Sequence, residues 1–404
     1  MSTQPLLQNV TLGPYELKNR MVMAPMTRVR ASLDRVPTDM MKIYYKQRAS
    51  AGLILTEGVV ISPQAAGYVA TPGLYTHRQV RAWKQITDAV HERGGRIFAQ
   101  LWHTGAVSHP DYQGGVPPRA PSAVNPNVQV YTASGFQRTV MPREMEWEDI
   151  QEVIDNFRIA AVNAMEAGFD GVKIHGANGY LFDQFLRDGS NLRTDEYGGS
   201  VANRARFHFE VLDAVTKEVP ANKVGFRLAP SGLVQVSPET NPRETYGYVI
   251  ERLNDYDLAF LELMESVMFL DEWEAKQEMD DTYVKEVAKH FRSVYKGTLI
   301  TNGGYTQETG NKIIEDGHAD LVSFGNPYIS NPDLAERFAQ NAPLNENDKT
   351  TYYTGGPKGY IDYPTLEQAP EGLKVGAPNP WYNKQVNEGD HVVLDHKETY
   401  GETA

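Results

Sequence analysis

Gly171-Val172-Lys173-Ile174-His175-Gly176-Ala177-Asn178-Gly179-Tyr180 is the stretch on which the fold turns. Its first part, Gly171 to Ile174, reads as a short buried strand, and it runs straight into a His, an Asn and a Tyr. The glycines between them allow a tight backbone turn. Two neutral hydrogen-bond donors and a phenol are therefore expected together at the C-terminal end of a strand. Such donors polarise a carbonyl oxygen, and a phenol delivers a proton.

Working outward, seven further short apolar runs resemble this strand: Met21–Pro25, Gly52–Glu57, Arg96–Trp102, Val224–Leu228, Ala259–Glu265, Thr298–Asn302 and Leu321–Gly325. None alternates strictly, as expected of parallel strands covered on both faces. Helical patterns lie between most of them. Val80, Trp83, Ile86 and Val90 recur at helical spacing behind a Thr76 N-cap. Ile150, Val153, Ile154, Phe157, Ala161 and Ala164 form a second stripe, stopped at Gly168. Phe207, Val211 and Val215 mark a third, and Val284, Val287, Ala288 and Phe291 a fourth. Shorter helices are expected to start near Thr38, Thr306 and Pro332.

Eight strands with intervening helices predict one (β/α)₈ TIM barrel over 1–371, with long capping loops and a loosely ordered C-terminal extension over 372–404. A doubly wound sheet is the competing fold. The first strand is followed by no Gly-x-Gly-x-x-Gly turn, which disfavours that competitor. Polar residues recur just after one strand after another, as a barrel active site requires. The Pro-, Gly-, Ser- and Asn-rich segment from Val107 to Arg143 is expected to lie over one mouth.

Composition narrows the chemistry. The chain has 404 residues, is 41% apolar and carries a net charge of −13. The apolar fraction suffices for a core, and the acidic balance argues against nucleic acid or an anionic membrane as partner. With no Cys, disulfides, thiol nucleophiles, Cys-ligated zinc and iron–sulfur clusters are excluded. His103 has no metal-ligand partner at obvious spacing and reads as structural, so no metal site is expected. The N-terminus lacks a basic-then-apolar signal pattern, and no apolar run reaches the roughly 20 residues of a spanning helix. The expectation is a soluble cytoplasmic protein, monomeric or homodimeric.

At the strand ends stand Thr27, Gly58, Gln100, Arg227, the run Asn302-Gly303-Gly304, and Gly325-Asn326. Gln100 is either a satisfied core amide or the partner of a ring amide on a cofactor. Arg227, in an apolar strand, needs an anion or a carboxylate, so a structural ion pair and a cofactor contact both remain open. Gly303-Gly304 makes either a tight corner or the phosphate cradle usual after strands seven and eight. As a set these residues suit a planar, phosphate-bearing cofactor, FMN rather than a nicotinamide held by a dinucleotide fingerprint.

Several motifs resemble those of the old yellow enzyme family of flavin-dependent ene-reductases. They are Ala24-Pro25-Met26-Thr27-Arg28, Phe98-Ala99-Gln100-Leu101-Trp102-His103-Thr104-Gly105, Ile174-His175-Gly176-Ala177-Asn178-Gly179-Tyr180-Leu181, Arg193-Thr194-Asp195-Glu196-Tyr197-Gly198-Gly199-Ser200, Asn203-Arg204, Ser330-Asn331-Pro332-Asp333-Leu334 and Gly359-Tyr360-Ile361-Asp362-Tyr363-Pro364. The resemblance runs from about Pro5 to Pro364, in order. It implies that His175 and Asn178 grip a carbonyl or nitro oxygen, that Tyr180 donates the proton, and that Tyr68, Trp102 and Tyr353 shape the substrate pocket. It implies FMN contacts from Pro25, Met26, Thr27, Gly58, Gln100, Arg227, Asn302, Gly303, Gly304, Phe324, Gly325 and Asn326, with NADPH (or NADH) as reductant and small activated alkenes as substrates. Thr27, rather than Cys, resembles the classical branch.

There are two departures. Gly325-Asn326 stands where the family commonly has Gly-Arg, and Glu57 precedes Gly58 where Ala is more frequent. Asn326 donates a hydrogen bond but brings no charge to a phosphate. Two other readings remain: a flavin-free barrel lyase or isomerase using His175 and Tyr180, and a non-catalytic flavin-binding protein.

Overall fold

The computed structural model describes residues 4–232, 238–265 and 284–368. The expected extension over 372–404 lies outside them. Eight parallel strands close into a barrel in chain order: β1 Met21–Met23, β2 Leu53–Val60, β3 Ile97–Trp102, β4 Gly171–Gly176, β5 Val224–Leu228, β6 Phe260–Met264, β7 Leu299–Asn302 and β8 Leu321–Phe324. The TIM barrel predicted from the strand pattern is present.

Ten helices are described: α1 Asp39–Gln47, α2 His77–His91, α3 Trp147–Glu166, α4 Leu181–Leu186, α5 Val201–Thr216, α6 Pro242–Arg252, α7 Val287–Arg292, α8 Gln307–Glu315, α9 Asn326–Ser330 and α10 Leu334–Gln340. Local chemistry sets their ends. Thr76 and Gln79 form a reciprocal capping box at the start of α2. The chain leaves α3 through Gly168 at φ 81°. The apolar stripe of α3 turns Ile150, Val153, Phe157, Ala161 and Ala164 inward, where they join the layer between barrel and helices.

Three expectations need correction. Val284 lies before α7 rather than in it: Glu286, between Val284 and the helix, adopts φ 47°, a left-handed backbone that a right-handed helix cannot include, and the Val284 carbonyl accepts from the Ser231 hydroxyl at 2.6 Å instead. Gly58 does not end β2. The strand shifts register between Leu55 and Gly58 and continues through apolar Val59 and Val60. The segment from Val107 to Arg143 is not all loop. It contains a hairpin, Gln129–Thr132 with Gly135–Arg138, and Arg119–Ala120 pairs with Arg143–Glu144. Tyr131 of that hairpin packs on Val29, Val69 and Ala70, in the loops that follow β1 and β2.

The two-residue side-chain period sorts each barrel strand into an inward and an outward set. Toward the strands' N-terminal ends the inward set is apolar. Val22, Leu53, Leu55, Phe98, Phe260, Ile300 and Leu321 pack there with Leu12 and Leu17 of a hairpin, Val10–Leu12 with Tyr15–Leu17, that closes this end. Two inward glycines make room for rings: a Cβ on Gly171 would come within 2.5 Å of Phe98, and one on Gly225 within 2.3 Å of Phe260. Gly225→Val is therefore expected to destabilise the fold by about 1–3 kcal/mol, read as a lower urea midpoint. An unchanged midpoint would mean that this end is loosely packed.

Candidate active site

Further along the strands the inward set turns polar. Lys173 stands beside Gln100 and Gly225 in register, and His175 beside Arg227. Arg227 in turn stands beside Glu262. Glu262 takes Lys173 Nζ at 2.6 Å on one oxygen and Arg227 Nη1 at 2.9 Å on the other. Arg227 Nη2 donates to Asn302 Oδ1 at 3.0 Å, and Asn302 Nδ2 donates to the Ser323 carbonyl at 2.8 Å. The ion pair foreseen as one option for Arg227 thus exists, and Asn302 helps to hold it. Burial pushes the Glu262 carboxyl up, but the charges of Arg227 and Lys173 overrule it and keep the group at about 2.

The turn after β4 is held from below. Asn178 and Gly179 adopt φ 63° and 73°, a left-handed geometry that Asn and Gly tolerate best. Gly179 N–H donates to Asp183 Oδ2 at 2.8 Å, and the Tyr246 hydroxyl donates to Asp183 Oδ1 at 2.5 Å. Gln184 Nε2 donates to the Gly179 carbonyl at 2.7 Å and to the Thr104 carbonyl at 3.1 Å, joining this turn to the loop after β3. Asp183 and Gln184 are positioning residues that the sequence reading missed. Asp183 and Gln184, two polar residues amid Leu181, Phe182, Phe185 and Leu186, were the available signal.

The turn delivers Tyr180 into an aromatic group. Its ring meets Trp102 edge-on at 4.9 Å and lies 5.4 Å from His175. Trp102 stacks on Tyr68 at 5.6 Å, and the Tyr68 and Tyr180 hydroxyls are 3.2 Å apart. A Cβ on Gly58 would come within 2.3 Å of the Trp102 ring, so the glycine sets the close approach of β2 to β3. Desolvation, then Tyr68 and Tyr353, push the Tyr180 phenol well above its ordinary value, so it stays protonated. Burial, then the charges of Arg227 and Lys173, push the His175 imidazole well below its ordinary value, so it stays neutral.

Five buried polar atoms of these residues and their neighbours have no hydrogen-bond partner among the described residues: Gln100 Oε1, Trp102 Nε1, His175 Nδ1, Asn178 Oδ1 and Arg227 Nε. Unpaired buried polar atoms are rare enough to ask for a ligand. Acceptors and donors arrayed over a cationic floor fit the polar edge of a flavin ring that becomes negative on reduction. Pro25, Met26 and Thr27 follow β1 and are half-buried. Gly303 and Gly304 follow β7 at φ 136° and 68°. A Cβ on Gly325 would make only ordinary contacts, with Met26 Sδ at 3.7 Å and Ala24 Cβ at 4.0 Å, and Asn326 is exposed at the start of α9. The Phe324 side chain does not point into the mouth, which leaves only its main chain to meet a cofactor there. Its ring turns outward onto Phe338 and towards Gly310 of α8, away from the mouth.

Tyr353 is 66% exposed, on a segment fastened by buried cations. Arg28 Nε donates to the Tyr352 carbonyl at 3.0 Å, and Arg30 Nη2 to the Thr351 carbonyl at 2.9 Å. Tyr44 and Tyr360 stack at 4.0 Å, with Arg48 3.7 Å from the Tyr44 ring centre and Arg30 4.8 Å from that of Tyr360. Glu57, the departure noted in sequence, lies buried in this cluster. Burial pushes its carboxyl up to about 7 against the N–H of Arg28 and the charges of Arg28 and Arg30.

Residues 5–345 match the profile of the NADH:flavin oxidoreductase / NADH oxidase family. The chain is 44% identical over 372 residues to 12-oxophytodienoate reductase 1 of Oryza sativa subsp. japonica, a match covering 91% of this chain and 94% of that one. Among solved structures, the old yellow enzyme homologue from Zymomonas mobilis superposes with a TM-score of 0.84 at 41% identity, over 89% of this chain and 99% of that one. Morphinone reductase in complex with tetrahydroNAD superposes with a TM-score of 0.83 at 42% identity, over 89% and 97% of the two chains.

Proposed function

As this chain belongs to the NADH:flavin oxidoreductase / NADH oxidase family, the old yellow enzymes, we propose that it is an ene-reductase whose working groups are His175, Asn178 and Tyr180. FMN, when bound, would supply the redox chemistry, hydride transfer between NADPH (or NADH) and the β carbon of an α,β-unsaturated carbonyl or nitro compound. The observation that carries the assignment is the His175 ring 5.4 Å from that of Tyr180, with buried polar atoms of His175, Asn178, Gln100 and Arg227 that have no hydrogen-bond partner among the described residues.

His175 and Asn178 hold the activating oxygen and stabilise the charge that develops on it. A neutral imidazole suits this role, since it donates a hydrogen bond without bringing a proton acidic enough to quench the substrate. Tyr180 passes its phenolic proton to the α carbon. With FMN bound at this mouth, Thr27, Gln100 and Arg227 would hold its ring, with Arg227 offsetting the negative charge the ring gains on reduction. Pro25, Met26 and Gly58 would support the ring, and the main chain of Gly303, Gly304 and Gly325, with Asn326, would hold the phosphate. Tyr68, Trp102 and Tyr353 wall the substrate. Nicotinamide and alkene share one site, so the kinetics are ping-pong. The acidic surface, with net charge −13, supports a cytoplasmic enzyme of small molecules, monomeric or homodimeric, without nucleic acid or membrane as partner. No described helix is long and apolar enough to cross a membrane.

A phenolate mimics the charged oxygen of the reacting alkene. His175→Ala with Asn178→Ala is expected to weaken phenol binding by about tenfold or more, as loss of two hydrogen bonds to a charged oxygen implies. The check is titration of the flavin absorbance with a substituted phenol. Equal affinity in the variant and the parent would remove these residues from the oxygen site.

A further inference from the structure

The floor of the site carries more positive than negative charge. Glu262 is the carboxylate between Lys173 at 2.6 Å and Arg227 at 2.9 Å, and the Lys173 and Glu262 side chains have 0% exposure. One carboxylate offsets one cation, so with Lys173 protonated the three groups sum to +1. Arg227 and Glu262 alone would sum to zero. The excess lies where it can act: Lys173 is the register neighbour of Gln100, and Arg227 that of His175. Both cations already act on His175, pushing its imidazole down after burial has done so.

We propose that Lys173 is a positioning residue for the redox chemistry: its ammonium occupies Glu262 and so leaves the Arg227 charge free to stabilise the negative charge that a bound flavin gains on reduction. This inference rests on the mouth being the FMN site. At an effective dielectric near 20, a unit charge even about 10 Å from the ring is worth roughly tenfold in an equilibrium. The competing view is a purely structural ion pair, which leaves the flavin's potential indifferent to residue 173.

The test is the midpoint potential of the flavin in the purified holoprotein. It is measured at pH 6, because burial draws the Lys173 ammonium down to about 7. Lys173→Met is expected to move the potential in the negative direction, cutting the reduced-to-oxidised ratio at a fixed poise about tenfold. Lys173→Arg restores the charge and is expected to return the potential towards that of the parent. An unmoved potential in a flavin-loaded Lys173→Met protein overturns the inference. If that variant does not fold, Lys173→Met with Glu262→Gln removes both charges and leaves Arg227 alone at +1. It is expected to keep the parental potential, and a lowered one overturns the charge count. Protein that takes up no flavin at all would instead overturn the site reading beneath.

Discussion

Tyr180→Phe is expected to slow alkene reduction by roughly 10²–10⁴-fold, the usual cost of losing a general acid, while NADPH still reduces the flavin near its parental rate. Phe keeps the edge-on contact with Trp102 at 4.9 Å and removes only the hydroxyl. The loss should therefore appear in the half-reaction that needs a proton at carbon. Hydride transfer from nicotinamide to flavin needs none from residue 180. Stopped-flow measurement of the two half-reactions separates them, and equal losses in both would mean that Tyr180 is a wall of the pocket and not its acid. The strong upward push on the phenol keeps the donor loaded across the neutral range, so the parent's alkene half-reaction should not lose rate on a Tyr180 titration below pH 9 or so.

Glu262→Ala is expected to carry the largest stability cost, about 3–5 kcal/mol, typical of breaking a buried ion pair by removing one partner. Lys173 and Arg227 would then share the barrel interior without a counter-charge, next to an already unpaired Arg227 Nε. The Lys173 side chain is fully buried and that of Arg227 is only 5% exposed. The check is a urea unfolding series on the purified variant. A loss below about 1 kcal/mol would place this triad among the ion pairs that contribute little and would remove the reason to treat the floor as charged.

Much of the barrel was legible because its strands are fully buried and so appear as compact apolar runs, each broken by a turn residue. Gly171 to His175 is the clearest, and helix α2 is equally plain through Thr76 and its stripe. The closing hairpin was not legible: its three-residue strands are too short to establish a period. The register shift in β2 was hidden for a related reason, since Glu57-Gly58 looks like a strand end until Val59 and Val60 are seen to pair with β3. The candidate site was readable as far as strand ends could be aligned by eye. His175 and Tyr180 stand 5.4 Å apart at the end of β4, with Asn178 in the turn between them, and Trp102 and Tyr68 join the two rings. What sequence did not offer was partnership across the barrel. Lys173 and Glu262 lie 89 residues apart, and only their shared inward parity on neighbouring rows hints at a pair. Phe324 shows the converse. Its place at a strand end suggested a cofactor contact, but the same parity turns its ring out to Phe338.

The central claim is that an isoalloxazine lies over this mouth and exchanges electrons with both nicotinamide and alkene. The visible spectrum of the purified protein tests it most directly. The expected result is a flavin band that bleaches when NADPH is added without oxygen and returns when an enone such as cyclohexenone follows. A colourless protein that still turns over, or a yellow one whose bleached band no activated alkene restores, would contradict it.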